Sequence, residues 1–122
     1  MVNSIMLVGR LAQDIEVKTL DSGKEVTNIS LAVPRAYKNA DGIYETDFFD
    51  CVLWEGLAKN AAEYCRKGDT VGVRGRLQTS NYETEDGEKK KSTQIIVEKL
   101  TFLSSKHHDM SEDKSNDDDM DM

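Results

Sequence analysis

Asp47-Phe48-Phe49-Asp50-Cys51-Val52-Leu53-Trp54-Glu55-Gly56-Leu57-Ala58 is where one periodicity gives way to another. As far as Trp54 the residues alternate, with Phe49, Cys51 and Leu53 on one face and Phe48, Asp50, Val52 and Trp54 on the other. That is the pattern of a strand with one buried face. From Glu55 to Lys67 the positions Leu57, Ala58, Ala61, Tyr64 and Cys65 recur at helical spacing. Gly68 suits the helix cap. This is the one convincing helix of the chain, and it lies between two blocks of strand-like sequence.

Upstream, Ile5, Leu7, Gly9 and Leu11 alternate with Met6, Val8 and Arg10, and a shorter run covers Ile15 to Leu20. Asp21-Ser22-Gly23-Lys24 turns the chain into Val26 to Val33, which ends at Pro34, the only proline. A proline cannot donate to a ladder, so it marks an edge or a bulge. Asn39-Ala40-Asp41-Gly42 makes a further turn before Glu45 to Trp54. Downstream, Val71, Val73, Gly75 and Leu77 lead to Tyr82, and a turn around Asp86-Gly87 returns the chain through Thr93, Ile95 and Val97 to Phe102. Short strands with a single intervening helix predict a mostly β fold: a five-stranded Greek-key OB-fold barrel with one helix and a long C-terminal hairpin. A ferredoxin-like fold would need a second helix.

The 122 residues suit one domain, and the net charge of −7 argues against a polyanionic partner until its location is considered. Residues 1–103 hold 14 Lys and Arg against 16 Asp and Glu, whereas residues 104–122 hold 2 against 7. The expected organisation is a domain over 1–103 followed by a disordered acidic tail over 104–122, too poor in apolar residues to offset the entropy of ordering. Neither a membrane-length apolar run nor a secretory signal is read, so a cytoplasmic protein is expected. Cys51 and Cys65 fall within apolar patterns and read as buried thiols. His107 and His108 are adjacent in the tail without a third ligand, so no metal or cofactor is expected. Residues 1–103 contain no histidine, no Gly-rich phosphate loop and no nucleophile–base set, and Asp47 and Asp50 point to opposite faces. An enzyme is not expected.

The informative residues are aromatics on polar faces. Phe48 and Trp54 share a face with the Asp50 carboxylate, and on the later strand Arg74, Arg76, Gln78, Ser80 and Tyr82 lie opposite Val71, Val73 and Leu77. Unpaired bases stack on aromatic rings while Lys and Arg hold phosphates. The same aromatics would equally serve a core or a subunit interface. Lys89, Lys90 and Lys91 follow Glu83, Glu85, Asp86 and Glu88, so they form either a phosphate contact or a self-neutralising turn.

Four stretches resemble the bacterial-type single-stranded-DNA-binding protein family: Asn3 to Leu11, Asn28 to Val33, Asp47 to Ala58, and Tyr64 through Asp69 to Gly75-Arg76-Leu77-Gln78-Thr79. The likeness runs in order over residues 1 to about 103. It implies sequence-independent binding and protection of single-stranded DNA in replication, recombination and repair, with bases stacked on Tyr37, Phe48, Trp54 and Tyr82. Phosphate contacts are implied at Arg10, Arg35, Lys67, Arg74 and Arg76, with Lys89, Lys90 and Lys91 at the hairpin. Gln78, Ser80 and Asn81 stand where more positive charge is common. Tyr37 has the parity of inward Ile29, Leu31 and Val33, so its exposure requires a change of register after Pro34.

The resemblance also implies a homotetramer, a dimer of dimers with N-terminal strands paired across an interface. It further implies a partner-binding tip for replication and repair proteins at Asp117, Asp118, Asp119, Met120, Asp121 and Met122, where the usual Pro-Phe ending is missing. The alternative is an OB-fold interaction module, of primosome or phage adaptor type, with incidental nucleic-acid affinity.

Overall fold

In the computed structural model, which describes residues 1–105, the alternating runs form strands, except that of the Ile15 to Leu20 run only Lys18–Thr19 does. They are β1 (Ile5–Leu11), the two-residue β2 (Lys18–Thr19), β3 (Glu25–Lys38), β4 (Tyr44–Trp54), β5 (Thr70–Glu83) and β6 (Lys89–Ser104), with α1 (Glu55–Tyr64) between β4 and β5. β1 runs antiparallel to both β5 and β3, β5 to β6, and β3 to β4, while β4 and β6 are parallel. These pairings close a five-stranded barrel, with β2 as a short addition to β3. A closed circuit of this order with a helix between its third and fourth strands is the OB arrangement.

Alternation supplies the core. Leu11, Ile29, Leu31, Cys51, Leu53, Val71, Val73, Ile95 and Val97 come from all five barrel strands, and Ala58, Ala61 and Cys65 close one end. Full burial of a leucine such as Leu31 or Leu53 contributes about 2–3 kcal/mol. Both cysteines are free and buried, and burial pushes the Cys51 thiol up to about 11, which keeps it protonated and unreactive. Close approach needs a glycine at Gly75, where a Cβ would collide with the Ile96 carbonyl across the β5–β6 pair.

Several details depart from the sequence reading. The helix ends at Tyr64 rather than Lys67, because Cys65 takes an extended conformation that turns its thiol into the core, its N–H still donating to the Ala61 carbonyl at 2.9 Å. Gly68, at φ +92°, does not cap the helix but shapes the Arg66–Asp69 turn, in which the Asp69 N–H donates to the Arg66 carbonyl at 3.0 Å. Its own N–H reaches the Leu11 carbonyl at 2.8 Å and ties that turn to β1. β3 does not stop at Pro34 but continues to Lys38. Leu77 has the expected inward parity, opposite buried Ile95, but is not buried: it stands where β5 and β6 leave the barrel as a two-stranded arm, and it is exposed.

The tail from residue 106 onward, including the tip residues Asp117, Asp118, Asp119, Met120, Asp121 and Met122, lies outside the described residues.

Candidate nucleic-acid interface

Residues opposite one another on paired strands share a face, so the registers show which side chains meet on the outside of the barrel. Val52 pairs with Asn28 of β3 and with Ile96 of β6, and Ile96 pairs with Arg76 of β5. Asn28, Val52, Ile96 and Arg76 thus form one row across four strands. Val52 is buried despite its outward parity, flanked on both sides by neighbours in that row.

Trp54 and Phe48 lie two and four residues from Val52 on the same face of β4. Trp54 stands opposite Val26, is 40% exposed, and is the last residue before the helix. The chain leaves it through Glu55, whose φ of +55° is rare for a residue with a side chain. The Glu55 carboxylate accepts the Glu25 N–H at 2.7 Å, and Lys59 pairs with the Glu25 carboxylate at 3.1 Å. This sharp, anchored turn carries the helix under the barrel and leaves the indole on the sheet's outer surface. Phe48, 64% exposed, stands opposite Ala32, which in turn stands opposite Arg10 of β1. One predicted cation therefore sits two strands from a predicted stacking ring.

Tyr37 and Tyr82 are on the two arms. Between Pro34↔Thr46 and Lys38↔Tyr44 the β3–β4 register shifts, with two more residues on β3 than on β4. An even shift leaves parity unchanged, so the change of face expected after Pro34 does not occur: Tyr37 keeps the parity of Ile29, Leu31 and Val33 and is exposed because the arm runs past the core. The same arm carries an aromatic the sequence reading missed: Tyr44, whose ring lies 5.7 Å below the Lys38 ammonium. Starting that strand at Glu45 left Tyr44 out, although its parity with Thr46 and Phe48 was readable. Tyr82, on the outward face shared with Arg74 and Arg76, stands opposite Lys90, whereas Lys89 and Lys91 stand opposite Glu83 and Asn81 on the reverse face. The tyrosine and the three lysines line a shallow cleft of about 520 Å³.

The remaining cations differ in availability. Arg76 donates from Nη1 to Gln78 Oε1 at 2.7 Å, with Glu98 at 3.9 Å from its Nε. Arg74 stands between Met6 and Lys99, toward the β1 side of the barrel. Lys67 follows the helix, its backbone N–H held by Asp14 at 2.8 Å. Arg35 is committed within the chain: Nε and Nη2 grip Asp47 at 3.1 and 3.0 Å, and Nη1 reaches Glu45 at 3.1 Å. Arg35 holds the Asp47 carboxyl below the ordinary carboxylate range, first through the hydrogen bond and then through its charge. The sequence offered no sign of this pairing, because the register of β3 against β4 decides which residues of the two strands meet.

Among the described residues no group of three or more His, Cys, Asp or Glu side chains could hold a metal ion, and no helix is long and apolar enough to cross a membrane. The profile of the single-strand binding protein family matches residues 2–103. Single-stranded DNA-binding protein B of Bacillus subtilis is 41% identical over 93% of this chain and 100% of its own length. Single-stranded DNA-binding protein 3 of Listeria innocua is 44% identical over 88% of this chain and 68% of its own. A Bacillus cereus single-stranded DNA-binding protein is 44% identical over 84% and 61%.

Proposed function

The chain belongs to the single-strand binding protein family, and from that premise we propose that it coats single-stranded DNA on the outer face of its barrel and arms. Bases stack on Phe48 and Trp54 at the barrel and on Tyr37 and Tyr82 at the arms. Stacking on exposed rings contributes about 1–3 kcal/mol per base and is indifferent to which base it is. Arg10, Arg76 and Lys90 are set nearest these rings by strand register and take the phosphates, with Arg74, Lys67, Lys89 and Lys91 as outlying charge. Arg35, gripped by two carboxylates, acts chiefly within the protein. A duplex hides its base faces, so the coat favours the unpaired state by mass action.

The observation that carries this reading is the exposure of four aromatic side chains on surfaces that also carry cations. Copies of the chain assemble as a homotetramer. In support, β1 pairs with β3 only at Arg10 and Leu11, so its Ile5–Gly9 edge has no partner on that side among the described residues. Met6 and Val8 on the same strand are exposed, beside Leu103. Fluorescence anisotropy with a labelled single strand, and with its duplex as competitor, tests the proposal. Tight binding that the duplex does not displace, weakening by about 0.7 log units per phosphate contact per decade of salt, is expected. Equal competition by duplex would overturn it and favour an interface for proteins.

A further inference from the structure

A carboxylate stands in the middle of the face assigned above to a polyanion. Asp50 is exposed and lies between Phe48 and Trp54 on β4, and its carboxylate makes no hydrogen bond or ion pair among the described residues. Its cross-strand partner on β3 is Ser30. On the other side, the parallel pairing of Cys51 with Ile95 sets Asp50 beside Gln94 one step back along both strands, and Gln94 pairs with Gln78 of β5. Ser30, Asp50, Gln94 and Gln78 therefore form a polar row across four strands. It runs alongside the row of Asn28, Val52, Ile96 and Arg76, on the side toward Phe48.

Phosphates would be repelled from such a row, so whatever group of a single strand lies over it must offer donors. Asp50 stands about 7 Å along the strand from Phe48, two residues at strand rise. The edge of a base stacked on Phe48 falls within that reach, and in a single strand the Watson–Crick edge is free to be read. An ionised carboxylate only accepts, through two oxygens side by side. Guanine presents N1–H and the N2 amino group side by side and matches both oxygens. Thymine presents one N–H between two carbonyls, which oppose the second oxygen. Arg76 takes Gln78 Oε1, which leaves the Gln78 amino group as a donor for base carbonyls at the end of the row.

We propose that Asp50 reads base edges and biases this otherwise base-indifferent face toward guanine. The inference rests on the single-stranded DNA reading of the site. It is tested with the full chain, and with Asp50→Asn and Asp50→Ala, by titrating three oligonucleotides of equal length. One is all thymine, one has guanine at every third position, and one has hypoxanthine there in place of guanine.

Hypoxanthine keeps the purine ring and N1–H but lacks the N2 amino group, so it separates edge reading from stronger purine stacking. The wild-type chain is expected to bind the guanine strand about fivefold more tightly than the hypoxanthine strand, the lower end of a bidentate contact at an exposed site. In both variants that ratio should fall close to one. If removing the carboxylate tightens binding to all three strands by the same factor, Asp50 acts only by repulsion and the proposal is overturned. Binding of no single strand by the wild-type chain would instead overturn the coat itself, and the base bias with it.

Discussion

The barrel and its arms are built from the same strands and obey different rules. In the first half of β5 burial alternates, Val71, Val73 and Gly75 inward and Arg74 and Arg76 outward; from Leu77 to Glu83 every residue is exposed. β3 changes in the same way, from buried Thr27, Ile29 and Leu31 to exposed Ala36, Tyr37 and Lys38. In the barrel, a residue's parity decides its fate because one face is closed by the core. On an arm neither face is closed, so parity says which side a residue is on and nothing about burial. Tyr37 and Tyr82 are exposed because they lie past the end of the core, while Phe48 and Trp54 are exposed because of the face they occupy. Binding residues of one kind thus arise by two physical routes.

The sharpest test of this contrast uses the same residue type in both places. Leu53→Ala empties a site with no solvent exposure and should cost about 3 kcal/mol of unfolding free energy by urea titration. Leu77→Ala, on the arm, should stay within about 0.5 kcal/mol. Comparable losses would mean that the arm is packed against something the single chain does not contain, such as another copy.

A smaller effect concerns binding. Tyr82→Ala should weaken single-strand binding by about 1–3 kcal/mol, the range for one stacked base, with an unchanged urea midpoint. A shifted midpoint with unchanged affinity would make Tyr82 a structural residue of the arm and remove it from the site.

The smallest effect is on the β3–β4 arm. Asp47 has a folded-state pKa below its unfolded one, owing to Arg35. Its contribution is therefore complete above the ordinary carboxylate range and is lost as the pH falls through the lowered value. The thermal midpoint should drop more steeply with acid in the wild type than in Asp47→Asn, and the difference should shrink with salt, because the pair is exposed. Parallel acid limbs would show that the ion pair does not hold the bulge.

The same contrast explains what could be read in the sequence. Alternation in Ile5 to Leu11, Val26 to Val33 and Phe48 to Trp54 revealed the barrel strands, and the helical spacing after Trp54 placed the helix. From these, the outward positions of Phe48 and Trp54 followed directly. Leu77 misled because its inward parity continued past the point where the core ends, and nothing local marks that point. The helix end and the role of Gly68 misled because a tertiary bond to Leu11 outranks the local cap signal. Arg35 looked like a free cation because its partners, Asp47 and Glu45, stand on the neighbouring strand, and only the β3–β4 register brings them to it. The polar row around Asp50 depends on the parallel β4–β6 pairing, which joins segments more than 40 residues apart.

Trp54 is the only tryptophan of the chain, so its fluorescence reports on one point of the proposed face. The most direct test titrates that fluorescence with poly(dT) and with duplex DNA, at low and high salt. Strong quenching by poly(dT), weak response to duplex and affinity that falls with salt are the predicted results. A protein that binds poly(dT) with its Trp54 emission unchanged would contradict the account, because the strand would then run somewhere other than across the outer face of β4.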